Sequence, residues 1–202
     1  MILKYLLVIT AAYLIGSFSM SIILSKYVYH DDVRKHGSGN AGATNIARTF
    51  GWGPGILTFL CDFLKCAIAM EIGMRLLGDP GKCAAGIACL IGHCFPVYFN
   101  FKGGKAVSTG ACVGFLIDWK IFLAMIIVFA VTALITKIVS ISSILAALTT
   151  VVMAFIINLT LPMRILAIFA GILVIFMHYP NIVRLLNGTE SKFKAGSRPK
   201  KQ

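Results

Sequence analysis

The sequence predicts an all-α polytopic membrane protein of about seven transmembrane helices, some of them short or broken. Hydrophobic residues make up 58% of the 202-residue chain and charged residues only 13%, about half the charged share of a soluble domain. Mean hydropathy is +0.89, and the apolar residues run in long stretches parted by short polar loops, the pattern of a chain whose solvent is lipid. Disorder, collagen and a disulfide-stapled secreted domain are excluded by the same composition. The chain reads as one integral membrane domain over residues 1–202, ending in a flexible basic tail over 195–202 where Gly, Pro and cations dominate.

Taken in order, the candidate spans are residues 3–24, 53–77, 83–99, 107–117, 121–135, 138–159 and 165–177. A bilayer core of ~30 Å asks for about 20 apolar residues per helix, so the fourth and seventh are short. The first could pass for a cleavable signal, but its length and the spans that follow favour a retained helix. Seven spans put the termini on opposite sides. Lys26, Arg34, Lys35, Arg48, Lys102, Lys105, Lys137, Arg184 and the cations of the tail share one side, whereas Lys4, Arg75, Lys82, Lys120 and Arg164 share the other. The excess of Lys and Arg in cytoplasmic loops predicts a cytoplasmic C-terminus and an external N-terminus.

The formal net charge is +12, yet the cations are parcelled into loops rather than gathered on one basic face, which argues against nucleic acid as a partner. The six cysteines form no C-x-x-C pair and no zinc spacing with His, so they read as small buried thiols with no metal site.

Three polar segments crowd the predicted cytoplasmic side. In the first, Gly37, Gly39 and Gly42 alternate with Ser38, Asn40, Thr44 and Asn45 ahead of a helix carrying Arg48. Such a stretch can turn backbone N–H groups inward as an anion nest, with Arg48 as a phosphate clamp; a plain flexible loop is the alternative. The second runs from His93 through Gly103, Gly104 and Lys105 to Ser108 and Thr109. It fails the phosphate-loop frame, because Phe99 and Ala106 stand where Gly and Ser or Thr are required. What remains is a Gly-Gly turn, a Lys beside it, and hydroxyls at a helix start, with His93 either functional or a hydrogen-bonded core histidine. In the third, His178, Asn181 and Arg184 recur every three residues after a helix start marked by Pro180, with Glu190 following; an amphipathic tail on anionic lipid would also fit. Within the second span, Asp62 and Lys65 stand three apart and read as a structural ion pair.

These segments, G-S-G-N-A-G-A-T-N-x-x-R at 37–48, G-H-x-x-P with F-K-G-G-K at 92–105, and H-x-x-N-I-x-R-L-x-x-G-T-E at 178–190, resemble in order and spacing those of the bacterial acyl-phosphate-dependent glycerol-3-phosphate acyltransferase family. The resemblance extends to the Asp62 and Lys65 pair and to Ser142 and Ser143 near the start of a later span. Departures are Ala106 after Gly-Gly-Lys, where Gly is usual, Ser108 in place of Ala, and Cys66 where Gly is frequent.

The resemblance implies a multi-pass protein of the bacterial cytoplasmic (inner) membrane that moves a fatty acyl group from acyl phosphate to the 1-hydroxyl of glycerol 3-phosphate. The products would be 1-acylglycerol 3-phosphate and inorganic phosphate, for phospholipid biosynthesis, with membrane lipid as the third partner and no cofactor. Acyl phosphate is already activated, so direct attack without an acyl-enzyme is expected. Ser38, the glycine backbone and Lys105 would hold the leaving phosphate, and Asn45, Arg48, His178, Asn181 and Arg184 the acceptor. His93, His178 or a substrate phosphate would take the proton, while Glu190 organises the basic loops. A small anion or phosphate transporter is the rival reading, disfavoured because the polar groups crowd one face and no internal repeat is visible.

Overall fold

The computed structural model describes residues 1–196, and among these every regular element is helical. Helix α1 (Ile2–Ser17) breaks at Phe18 and resumes as α2 (Met20–Ile23) and a π turn (Leu24–Val28). After a 3-10 turn (Val33–Lys35) come α3 (Ala43–Phe50) and α4 (Trp52–Cys94). Then follow α5 (Val107–Ile117), α6 (Trp119–Thr136), α7 (Val139–Ile156), α8 (Leu161–Met177) and α9 (Tyr179–Leu186).

The apolar segments read from the sequence lie largely in helices, and 53–77 and 83–99 are two separate helical arms of α4 that meet at Gly78, the second stopping at Cys94. Gly78 (φ 64°, ψ −153°) reverses the chain. The arms then pack so tightly that a Cβ on Gly73 or Gly81 would strike the facing backbone. The run over Ile2–Val28, α6 and α7 are each long and apolar enough to cross a membrane, and α8 with α9, bent by 52° at His178, has the length and composition of a fourth if the pair is taken as one span.

Much of the interior is built from small residues, with Ile22, Met70, Leu90 and Leu166 among the larger exceptions, while many large apolar side chains lie on the surface. Ala12, Cys66, Ala69, Ala85, Cys89, Cys112, Ala147 and Ala170 are buried, whereas Leu6, Leu57, Leu60, Leu64, Leu123, Leu134, Phe155 and Phe176 are exposed. Lipid tails are as apolar as leucine, so helices gain little by hiding large side chains and associate through close backbone approach instead. Gly16 shows this, lying against the Cys89 backbone at the α1–α4 crossing. Five of the six cysteines are buried, as expected of small interior thiols, and Cys61 is partly exposed.

Helix α5 is short: at ~1.5 Å per residue its 11 residues span about 16 Å, about half the thickness of a bilayer core. Ala106 at its start is fully buried. Beyond α9 the chain returns over the bundle, and the Gly196 N–H donates to the Ala47 carbonyl at 3.1 Å. The expected tail over 195–202 is therefore held at Gly196, and its residues 197–202 lie outside the described ones.

Candidate active site

A cavity of about 220 Å³ opens where the three polar segments meet. Four helices contribute residues from their first turns: Ala43, Thr44 and Asn45 of α3, Val107 and Ser108 of α5, Val139 and Ser140 of α7, and Asn181 of α9 preceded by His178. None of the four carries a side-chain cap at its N-terminus. Helix N-termini present unpaired N–H groups and the positive end of the macrodipole, and Arg48 and Lys105 stand in the same wall. Together they favour a phosphate-sized anion.

Each segment is held by specific contacts. Asn45 is buried and ties the first loop together: its Nδ2 donates to the carbonyls of Val33 (3.0 Å), His36 (2.9 Å) and Asn40 (3.0 Å), and its Oδ1 accepts from the Ser38 N–H at 3.0 Å. Its carboxamide is thus consumed in shaping the loop. Ser38, Asn40 and Gly42 line the cavity, while Gly37 and Gly39, with φ of 55° and 72°, turn the chain behind it.

In the second segment the Gly103 and Gly104 N–H groups donate to the carbonyls of Cys94 (3.1 Å) and His93 (3.0 Å). A Cβ on Gly103 would strike the end of α4, and one on Gly104 the His93 ring. Both glycines stand behind the wall, and their closeness to α4 delivers Lys105 into the cavity. Thr109 falls outside it, buried with no hydrogen-bond partner for its hydroxyl among the described residues.

At the base, Asp62 and His93 reach the wall and Lys65 lies just behind. Lys65 Nζ meets Asp62 Oδ1 at 2.7 Å, faces His93 Nδ1 at 3.1 Å and donates to the Phe18 carbonyl at 2.5 Å. The buried pair read from the sequence is therefore present, and it also engages a carbonyl released where α1 breaks.

The third segment closes the ring. Lys105 Nζ donates to Asn181 Oδ1. Asn181 Nδ2 donates to Glu190 Oε1 (2.7 Å), as does the Ser140 hydroxyl (2.8 Å), and Arg184 Nε donates to Glu190 Oε2 (2.6 Å). Burial opposes the charge on Glu190, but these three donors outweigh it and hold its carboxyl below the usual range. Burial, with the Arg184 and Arg48 charges, pulls Lys105 down to about 8 against the opposing pull of Glu190. Arg184 itself stands off the wall. His178 Nδ1 bonds the Val174 carbonyl at 2.7 Å. A carbonyl only accepts, so Nδ1 carries the proton and Nε2 keeps its lone pair in the neutral ring.

Of the serine pair on α7, Ser143 lines the cavity, while Ser142 is fully buried off the wall and donates to its own helix at Ile138. Sequence reasoning passed over Ser140, which shares a helix face with Ser143 by i,i+3 spacing. It also passed over Ser191, Phe59 and Phe129, which no polar motif marks.

A lipid-embedded helical bundle with a cationic cavity ringed by helix N-termini is an integral membrane protein equipped to hold a small anion. The chain belongs to the glycerol-3-phosphate acyltransferase family, whose model matches residues 6–188. It is 40% identical over 190 residues to the glycerol-3-phosphate acyltransferase of Finegoldia magna, covering 93% of this chain and 96% of that protein. The Bacillus subtilis glycerol-3-phosphate acyltransferase is 38% identical, with 93% and 97% covered. Among solved structures, PlsY (YgiH), an integral membrane glycerol 3-phosphate acyltransferase, matches in its glycerol 3-phosphate form with a TM-score of 0.89 and 35% identity, over 94% of this chain and 96% of that one. Its lysophosphatidic acid form matches with a TM-score of 0.85 and 34% identity, over 94% and 95%.

Proposed function

We propose that the protein acylates the 1-hydroxyl of glycerol 3-phosphate with a fatty acyl group from acyl phosphate, giving 1-acylglycerol 3-phosphate and inorganic phosphate for phospholipid biosynthesis. It does so in the bacterial cytoplasmic membrane, with the site open to the cytoplasm, where the excess of loop cations lies. One observation carries this reading: a single cavity gathers Ser38, Arg48, Lys105, His178 and Asn181 among four helix N-termini and adjoins an apolar cleft through Phe59 and Phe129. Two phosphates and one alkyl chain need such a pairing of surfaces.

Acyl phosphate is a mixed anhydride with a good leaving group, so the acceptor hydroxyl attacks the acyl carbon directly. The new ester C–O bond forms as the acyl–phosphate C–O bond breaks, and the hydroxyl proton passes to His178 Nε2 or to the departing phosphate. Lys105, the Ser38 hydroxyl and the helix N-termini neutralise the charge that grows on the leaving oxygens. Arg48 and Asn181 orient the acceptor, and Glu190 positions Asn181 and Arg184. Asn45 acts on the same step indirectly, by shaping the loop that presents Ser38.

Protein purified in detergent and given palmitoyl phosphate with glycerol 3-phosphate should release phosphate and form 1-palmitoylglycerol 3-phosphate in equal amounts. Acylation with palmitoyl-coenzyme A but none with palmitoyl phosphate would overturn the donor. Movement of phosphate into liposomes without either product would favour the transporter.

A further inference from the structure

The polar cavity adjoins two apolar spaces. One, bounded by Gly110, Ala111, Ala147 and Gly171, measures about 80 Å³. The other, of about 400 Å³, lies between Trp52, Ile56 and Phe59 on one side and Phe129 and Ala133 on the other. The first has a fifth of the volume of the second, too little for a long alkyl chain. The larger cleft shares Ala43, Thr44, Phe59, Phe129 and Val139 with the polar cavity, so an acyl chain can run from one into the other unbroken. Trp52 and Ile56 on one wall are exposed, so the cleft opens as a gap on the outside of the bundle.

One segment crosses that gap. Glu190 is fastened by Ser140, Asn181 and Arg184. Beyond it the Phe193 N–H donates to the Lys137 carbonyl at 2.8 Å, in the turn between α6 and α7. The Phe193 ring meets the Trp52 ring edge-on, with centroids 5.1 Å apart, and Gly196 is tied to Ala47 of α3. Phe193 therefore bridges the two walls and is itself part of the cleft lining. The segment is anchored at Glu190 by three side chains and beyond it by the Phe193 and Gly196 backbone hydrogen bonds, the Phe193–Trp52 ring contact and an interaction of Lys194, attachments at the edge of the fold of the kind that can open locally while the rest stays intact. It also lies past residue 188, where the family match ends.

We propose that residues 191–196 are a gate across the acyl cleft, latched by Phe193, which lifts to admit a long acyl chain from the lipid and closes over it. The proposal rests on the acyl-transfer reading above and makes Phe193 a determinant of acyl-chain selection. A short acyl donor, able to enter through the polar mouth, bypasses the gate.

The test compares butyryl phosphate with palmitoyl phosphate in two variants of the full-length protein. In Trp52→Cys/Phe193→Cys, made with Cys61→Ala because Cys61 is the one native thiol not buried, a short cleavable bis-maleimide locks the gate. Palmitoyl transfer should fall at least tenfold and return on cleavage, while butyryl transfer stays unchanged. Phe193→Ala should raise KM for palmitoyl phosphate about tenfold with KM for butyryl phosphate and glycerol 3-phosphate unaltered, a discrimination in the range a few apolar contacts supply. Equal losses with both donors, or no loss on cross-linking, would overturn the gate. If the unmodified protein uses neither acyl phosphate, the donor assignment fails separately. The gate is then read from association rates of 1-butyryl- and 1-palmitoylglycerol 3-phosphate, where slowing of the long chain alone supports it and equal rates refute it.

Discussion

Lys105 donates to the carboxamide of Asn181 across 76 residues of sequence, coupling the Gly-Gly loop to α9 and, through Asn181, to Glu190. The cation is thereby aimed and partly desolvated before any ligand arrives. A phosphate entering the cavity meets a positioned charge rather than a flexible surface lysine.

Because Lys105 lies near 8 in the free protein, it is charged below that pH and neutral above it. The value of kcat/KM for acyl phosphate should therefore decline as pH rises through about 8, and Lys105→Arg should move that limb upward. Lys105→Ala should lower turnover by about 10²- to 10³-fold while the protein still inserts. A flat profile from pH 7 to 10 would remove Lys105 from the charge-stabilising role.

Ser38→Ala should slow turnover by about tenfold, through loss of one neutral donor to phosphate. Incubating wild-type protein with radiolabelled acyl phosphate, without acceptor, should leave the denatured chain unlabelled. A stoichiometric adduct on Ser38, formed and discharged at the rate of turnover, would replace direct attack with a two-step mechanism.

The buried Asp62–Lys65 contact should show strong non-additivity. Either Asp62→Asn or Lys65→Met alone strands a charge and should cost about 3–5 kcal/mol. The double substitution should recover most of the loss, read as thermal unfolding in a mild detergent. Additive losses would mean that each residue acts through other partners.

Ala106 takes φ 59° and ψ 20°, a left-handed conformation that costs a side-chain-bearing residue about 1–2 kcal/mol. Ala106→Gly should therefore keep activity and raise the unfolding midpoint slightly, whereas Ala106→Val should lower both. This position departed from the family pattern in sequence, and the chain keeps the backbone that glycine would adopt.

A cysteine introduced at the exposed Asn187 should react with membrane-impermeant maleimide only after the cells are opened. Labelling from outside would reverse the orientation that the loop charges suggest.

The polar segments were legible because Ser, Asn, His and Arg have no reason to cluster in so apolar a chain, and the structure brings all three to one cavity. Pro180 marked the start of α9, and the i,i+3 spacing of Asp62 and Lys65 gave their contact. Side-chain direction was harder to read. Asn45 and Ser108 are both polar and near a helix start, yet Asn45 spends its carboxamide on the loop; Ser142 and Ser140 differ only in helical phase. The reversal inside α4 was legible as the short break between the apolar runs 53–77 and 83–99, though not that Gly78 would make the turn. Phe193 carried no signal at all, since its significance comes from the distant Trp52 and Lys137.

The size gradient from small interior to large exterior changes what mutation can do. In a water-soluble protein the outside drifts and the centre resists truncation. Here a leucine such as Leu64 or Leu123 can become isoleucine, valine or phenylalanine with little consequence, since lipid accepts any of them. Adding a single methyl group at Gly16, Gly73 or Gly81 would force two backbones apart. The fragile positions are those with the least to lose by deletion and no space to grow.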